Sequence, residues 1–328
     1  MIMSESNLTA FKLNFASPVH FGQGESIAET RVNLKADQLF SAFCHGYLKL
    51  FGEEELVNLL EGKEDIPFRI SSAFPYKNES LFLPWPAGIP APENEEKASE
   101  SVSVKYLEMS LFGELISGDS LKACEDSLLQ GGSILPADDF SDEKLWYKDD
   151  NPRVTLDRKS RQSSIYHVGK VTFAEDSGLY FLTKASREWR EKIAYTFELL
   201  GDIGIGGERS SGYGQFKLEV EQVDAGFPEA EDCDWFTTLA PYFPREDELK
   251  PGRSFYRLTK KSGWIYSPHG GDQRKKPIRY FAVGSIFPEL GQEGKLVDVT
   301  PGSFKAHRVY CYALPFKVGL EVNPWEIE

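Results

Sequence analysis

One segment limits the fold of this chain more than any other: Gly204-Ile-Gly-Gly-Glu-Arg-Ser-Ser-Gly-Tyr-Gly214, with five glycines in eleven residues. Glycine lacks Cβ, so the backbone of such a loop can approach another group closely. Its flanks fix its place. Before it, Trp189, Ile193, Phe197 and Leu200 recur at helical spacing. Glu188 and Lys192 form an i,i+4 pair in the favourable order, and Gly201 is placed to cap the helix. After it, Phe216, Leu218 and Val220 alternate with polar residues as in a half-buried strand. A glycine loop that leaves a helix and opens a strand is the reverse of a P-loop or a dinucleotide turn, and no Gly-Lys-Ser/Thr follows it. Nucleotide hydrolysis is therefore disfavoured. Arg209, Ser210 and Ser211 supply donors suited to phosphate. A merely flexible connection is the competing explanation of the loop.

The remaining elements give this loop a context. Phe11–Phe15 alternates as a strand, and Leu39, Phe43, Tyr47 and Leu50/Phe51 mark a helix that Gly52 ends, with Asp37 near its start. His45, about 200° from that stripe, is expected to face solvent. Pro67–Phe74, Ile165–Phe173 and Leu179–Thr183 read as strands. The order β-α-β-insert-β-β-α-β implies an α+β fold with a ferredoxin-like first domain over residues 1–223, as in RNA-recognition modules. Residues 75–151 read as a long insertion, broken by prolines and carrying short helices at Leu107–Ile116 and Leu121–Leu129. Removing Glu93–Asp150 is expected to leave the core folded, because long surface insertions cost little loop-closure entropy. Residues 224–251 read as a linker. Residues 252–328 read as a smaller β-rich domain, a degraded second ferredoxin-like unit in tandem with the first. It opens on a hairpin in which Phe255–Thr259 and Trp264–Tyr266 flank Lys260–Gly263.

Charge first argues against nucleic acid. The net charge is −14, whereas a phosphate binder is usually basic. The distribution of charge points the other way. Pro92–Asp150 carries 15 acidic and 5 basic residues, and Asp224–Lys250 carries 8 and 2. Asn151–Lys170 holds 5 basic residues against 1 acidic, and Pro251–Tyr280 holds 8 against 1. The cysteines at positions 44, 124, 233 and 311 form no CxxC pair, so neither a zinc knuckle nor a disulfide framework is indicated. No apolar run approaches the roughly 20 residues that span a bilayer, and the polar start does not resemble a signal peptide. A cytoplasmic protein with reduced thiols, no cofactor and no membrane contact is expected.

With its flanking helix and strand, the glycine loop resembles that of the RAMP superfamily of CRISPR systems. Phe15-Ala-Ser-Pro-Val-His-Phe-Gly22 resembles the exit of the superfamily's first strand, and Lys35-Ala-Asp-Gln-Leu-Phe-Ser-Ala-Phe43 its first helix. Pro152-Arg-Val-Thr-Leu-Asp-Arg158, followed by Ile165–Val168, resembles a segment of the subunits that cap the guide RNA. Lys276–Ser285 resembles the C-terminal half of those subunits. The resemblance implies a non-catalytic crRNA-binding subunit of a type III-A (Csm) effector complex in antiviral defence. It would cap the 5′ handle of the guide and join the large polymerase-like Csm subunit to a backbone RAMP subunit. The implied RNA-contacting residues are His20, Gly22, Gly24, Lys35, Arg153, Arg158, Lys159, Arg161, Gly206, Gly207, Arg209, Ser210, Ser211, Gly212 and Tyr213. Glu208 departs from the pattern, since a basic residue would suit a phosphate loop better. The alternative is a metal-independent endoribonuclease that processes precursor crRNA. It needs an acid and a base converging on one phosphodiester, and no second titratable group stands out beside His20.

Overall fold

The structure is a computed structural model that describes residues 8–22, 27–61, 66–90, 104–119, 121, 128–138, 140, 144–156, 163–248, 254–267 and 273–325. An eight-stranded sheet organises it. Thr9–Phe15 lies between Phe216–Gln222 and Ser177–Ala185, antiparallel to both. Beyond Ser177–Ala185 come Phe74–Lys77, Ser80–Pro84, Tyr106–Glu108 and Ile134–Leu135, and Phe68–Ile70 also pairs with Ser177–Ala185. The apolar alternation seen in the sequence sets this register. Phe11 stands opposite both Phe181 and Val220, and the Phe11 and Phe181 rings stack at 5.0 Å. A mixed α+β architecture is thus confirmed.

Helices Ala36–Phe51 and Arg187–Ile203 pack together against the sheet. They approach so closely that a Cβ on Gly46 would lie 2.7 Å from Thr196 Cγ2. Ser186 caps the second helix, its hydroxyl accepting from Trp189 N–H. Gly201 is not the C-terminal cap. The helix runs to Ile203, and Gly204, with φ 78°, takes that position. Gly201 instead sits where a side chain would strike the Phe216 carbonyl. A further helix, Glu53–Glu61, follows Gly52. Pro67–Phe74 is two short strands rather than one. At Ser71–Ala73 the backbone amides turn to three separate carbonyls, those of Leu182, Leu239 and Leu34.

Three further expectations are corrected. First, the acidic stretch is not an appendage. Leu107, Phe112, Ile116, Leu135 and Leu145 are all buried in the main core, and helix Met109–Ser117 is among the elements that bury them. Acidity marked the solvated face of this region and concealed its apolar face. The second helix expected there falls largely outside the described residues.

Second, the expected linker contains a strand. Trp235–Thr238 is the middle of a three-stranded sheet, between Ile286–Pro288 and Lys317–Leu320. Its Phe236 and Thr237 are wholly buried. Four residues are too short for alternation to show through clustered acid. Third, the hairpin partner differs: Leu258–Lys261 pairs with Ile278–Phe281, and Trp264 bridges to Arg274.

The two halves share one core. Leu239, Ile286, Tyr312, Val318 and Leu320 cluster with the buried residues of the N-terminal sheet. The Tyr312 ring lies 5.0 Å from Phe40, and its hydroxyl accepts from Ile70 N–H. Asp37, buried at the start of the first helix, pairs with Lys261 at 2.6 Å. The carboxylate expected to serve the helix dipole therefore also ties the halves together.

Candidate nucleic-acid interface

Three segments converge on the glycine loop. Gly214 N–H donates to Pro18 O, Gln215 N–H to Ser17 Oγ, and Gly207 N–H to His20 O. Val19 and Val171 exchange backbone hydrogen bonds. That exchange fixes the base of a two-stranded ribbon, Trp146–Leu156 paired with Ser163–Phe173. Most of the loop's glycines are explained by this packing. A Cβ on Gly206 would stand 2.7 Å from His20 O, one on Gly207 2.8 Å from His20 Cδ2, and one on Gly214 would run into Ile205 O. Gly212 differs from these three in combining a left-handed φ of 82° with open space in front of it.

His20 is buried, its Nδ1 2.7 Å from Gly169 O. A carbonyl only accepts, so Nδ1 carries the proton there. Gly22 is exposed beside His20, and Gly24 lies outside the described residues. Tyr213 is buried, its hydroxyl accepting a long 3.5 Å bond from Asn151 Nδ2. The tip, Ser210 to Gly212, is exposed.

Arg153, on the ribbon, reaches this tip. Its Nη1 lies 2.5 Å from Glu208 Oε2 and donates to Ser211 Oγ at 3.0 Å, and the guanidinium sits 5.7 Å over the Tyr213 ring. Glu208, the odd residue of the loop, is thereby accounted for as the group that anchors Arg153. Arg158, Lys159 and Arg161 lie outside the described residues.

On the other side of the tip, Arg209 stacks 4.9 Å over Tyr266, and Tyr266 meets His45 edge-on at 5.1 Å. His45 is therefore half-buried rather than solvent-facing. Burial lowers it to about 4, and the neighbouring Arg209 and Lys275 cations push the same way. Burial also lowers Lys275, assisted by Lys261. Lys35, at the start of the first helix, lies 5.3 Å over the Tyr280 ring. Burial lowers it to about 8, with Asp37 opposing and Arg31 and Lys261 adding to the fall. A cationic stripe thus runs from Arg209 past His45, Lys275 and Lys261 to Lys35.

Sequence reasoning missed part of this face. Tyr256, Trp264 and Tyr266 are each more than half exposed, and Arg274 stacks 5.0 Å over Trp264. Exposed rings interleaved with arginines are the means by which proteins hold single-stranded nucleic acid. The basic excess of Pro251–Tyr280 signals this face in the sequence, and the aromatic residues spaced among those charges are the rest of the signal.

The model of the RAMP superfamily matches residues 12–217, and that of the CRISPR Csm4 C-terminal domain matches residues 231–320. The protein "CRISPR system Cms protein Csm4" of Thermococcus onnurineus (strain NA1) is 30% identical over 309 residues, covering 88% of this chain and 92% of the relative. A chain of a Csm3–Csm4 subcomplex in the type III-A CRISPR-Cas interference complex superposes with a TM-score of 0.67. It is 19% identical, with 95% of this chain and 99% of that one covered. A structure of a Csm1–Csm4 cassette in complex with pppApA gives 0.63 at 24% identity, with 96% and 98% covered. The chain therefore belongs to the RAMP superfamily and, within it, to the Csm4 proteins of CRISPR systems.

Proposed function

We propose that this chain is the non-catalytic subunit that caps the 5′ handle of the guide RNA in a cytoplasmic type III-A Csm effector. It would bridge the large polymerase-like subunit to the first backbone RAMP subunit. The first half would act as a ferredoxin-like unit and the second as its diverged partner. The Csm1 and Csm3 chains named with the similar structures support that pair of neighbours.

One observation carries the RNA reading. The exposed tip Ser210–Gly212 is flanked by Arg153 and Arg209, each held over a tyrosine ring. Guanidinium planes fixed in this way present donors to a phosphate without first losing rotamer freedom. The exposed ring of Tyr266 stands beside Arg209 for an unstacked base. A chain of net −14 attracts no nucleic acid at long range, so binding must come from this local face.

The non-catalytic reading rests on His20, whose buried ring is committed to a backbone carbonyl. The test is incubation of the purified chain with labelled repeat RNA, with and without divalent metal. RNA retained intact agrees with the proposal. Cleavage that disappears in His20→Ala replaces it with the endoribonuclease.

A further inference from the structure

Positive charge converges on one imidazole from several segments. His45 projects from the first helix and meets the Tyr266 ring edge-on at 5.1 Å. Arg209, from the glycine loop, stacks over the same ring at 4.9 Å. Lys275 and His307 come from the C-terminal half, and Lys49 lies about one turn further along the helix. All four oppose a positive charge on the His45 ring. The helix carries one carboxylate, Asp37, eight residues earlier and roughly 12 Å along the axis, and Lys261 pairs with it at 2.6 Å.

The two histidines of this cluster differ. His307 is satisfied within the chain. Its Nδ1 lies 2.8 Å from Arg308 O, which only accepts, and its Nε2 lies 2.9 Å from Ser267 Oγ. His45 has no hydrogen-bond partner on either ring nitrogen among the described residues. A half-buried imidazole beside Arg209, Lys275 and Lys49 lacks an anion that accepts its hydrogen bond. A phosphate diester held by Arg209 and Lys275 is such an anion. Burial holds the ring near 4 in the free chain, with the cations adding to the fall. An opposite charge within about 4–6 Å raises a midpoint by roughly 1–3 units, which brings His45 to about 5–7.

We propose that His45 takes up a proton when RNA binds, its imidazolium donating to the phosphate that Arg209 and Lys275 hold. The inference rests on the RNA-binding reading above and adds a regulatory property to it. The complex binds a proton that the free chain refuses. Affinity therefore rises as the pH falls through the midpoint of the complex, and levels off near that of the free chain. Acidification tightens the hold on the guide. Lysine and arginine contacts alone give no such response in this range, because their charge does not change there.

The experiment measures the affinity of the intact chain for handle-bearing guide RNA from about pH 5 to about pH 8, at constant ionic strength. Wild type should bind about tenfold more tightly at the acid end. His45→Gln, which keeps a donor without the titration, should lose most of that gain. A full gain in the variant assigns the pH response to another group and overturns the inference, and so does wild-type binding that is independent of pH. The second readout needs no variant. Histidine resonances of the 13C-labelled chain are titrated with and without RNA. The His45 signal, marked by its low midpoint in the free chain, should titrate at least about one unit higher in the complex. A midpoint that stays or falls overturns the inference and leaves the RNA reading standing. RNA that binds at no pH overturns both.

Discussion

At the scale of single residues, His45 provides the sharpest handle. It is half-buried among Arg209, Lys275 and Tyr266, and desolvation by burial, reinforced by those cations, lowers it to about 4 from the ordinary value near 6.5. The unfolded chain therefore binds a proton between those two pH values that the folded chain refuses. Stability contributed by the neutral ring is fully present above about pH 6.5 and is lost as the pH falls toward 4. Acid titration of thermal stability should show a decline on the order of 3 kcal/mol across that window, and His45→Gln should flatten it. An equal decline in the variant would assign the acid sensitivity elsewhere. Arg209→Ala should also raise the His45 titration midpoint, read by NMR, because it removes a cation beside the ring. Asp37 is the second handle. Its pairing with Lys261 at 2.6 Å is buried on the carboxylate side, so Asp37→Ala strands a cation between the halves. Loss of one partner of a buried pair costs about 3 kcal/mol, which denaturant unfolding would reveal.

At the scale of elements, long periodic segments were legible in the sequence and short ones were not. The helices Ala36–Phe51 and Arg187–Ile203 and the strands Thr9–Phe15, Ser177–Ala185 and Phe216–Gln222 carry enough repeats for their periods to show. The strand Trp235–Thr238 has four residues set among acids and shows none. The glycine loop stands out in the sequence as a candidate site, but its glycines serve close approach to a ligand only in part. Gly206, Gly207 and Gly214 are demanded by the chain's own packing, whereas Gly212 faces open space. Gly207→Val should therefore disturb the His20 contact as well as any ligand, whereas Gly212→Ala tests close approach with only the cost of its left-handed backbone, about 1 kcal/mol. The face formed by Tyr256, Trp264 and Tyr266 escapes a sequence reading because exposure of a ring depends on which strand pairs with which, and the strand at Leu258–Lys261 takes a distant partner. The acidic stretch makes the converse point. Phe112 is wholly buried and meets Phe227 edge-on at 5.4 Å. Phe112→Ala should cost about 3–5 kcal/mol, and deletion of Glu93–Asp150 should abolish cooperative thermal unfolding. A deletion variant that melts cooperatively near the wild-type temperature would restore the picture of a dispensable insertion.

At the scale of the whole molecule, the chain is acidic in sum, yet its halves share one core and bring their cations together locally. The acidic segments help to build that core. Arg153 and Arg209 gather at the glycine loop, and Lys35, Lys261 and Lys275 line the joint between the halves. Such a molecule should bind RNA weakly at a distance and firmly at contact, with a salt dependence set by a few phosphates. The most direct measurement is the affinity of the intact chain for handle-bearing guide RNA at several salt concentrations, for wild type, Arg153→Ala, Arg209→Ala and Tyr266→Ala. Each arginine variant should bind less tightly and lower the slope of log K against log salt by about one unit. Tyr266→Ala, which removes a ring and no charge, should weaken binding by roughly fivefold or more and leave the slope nearly unchanged. Wild-type affinity and slope in all three variants would contradict the placement of the RNA on this face.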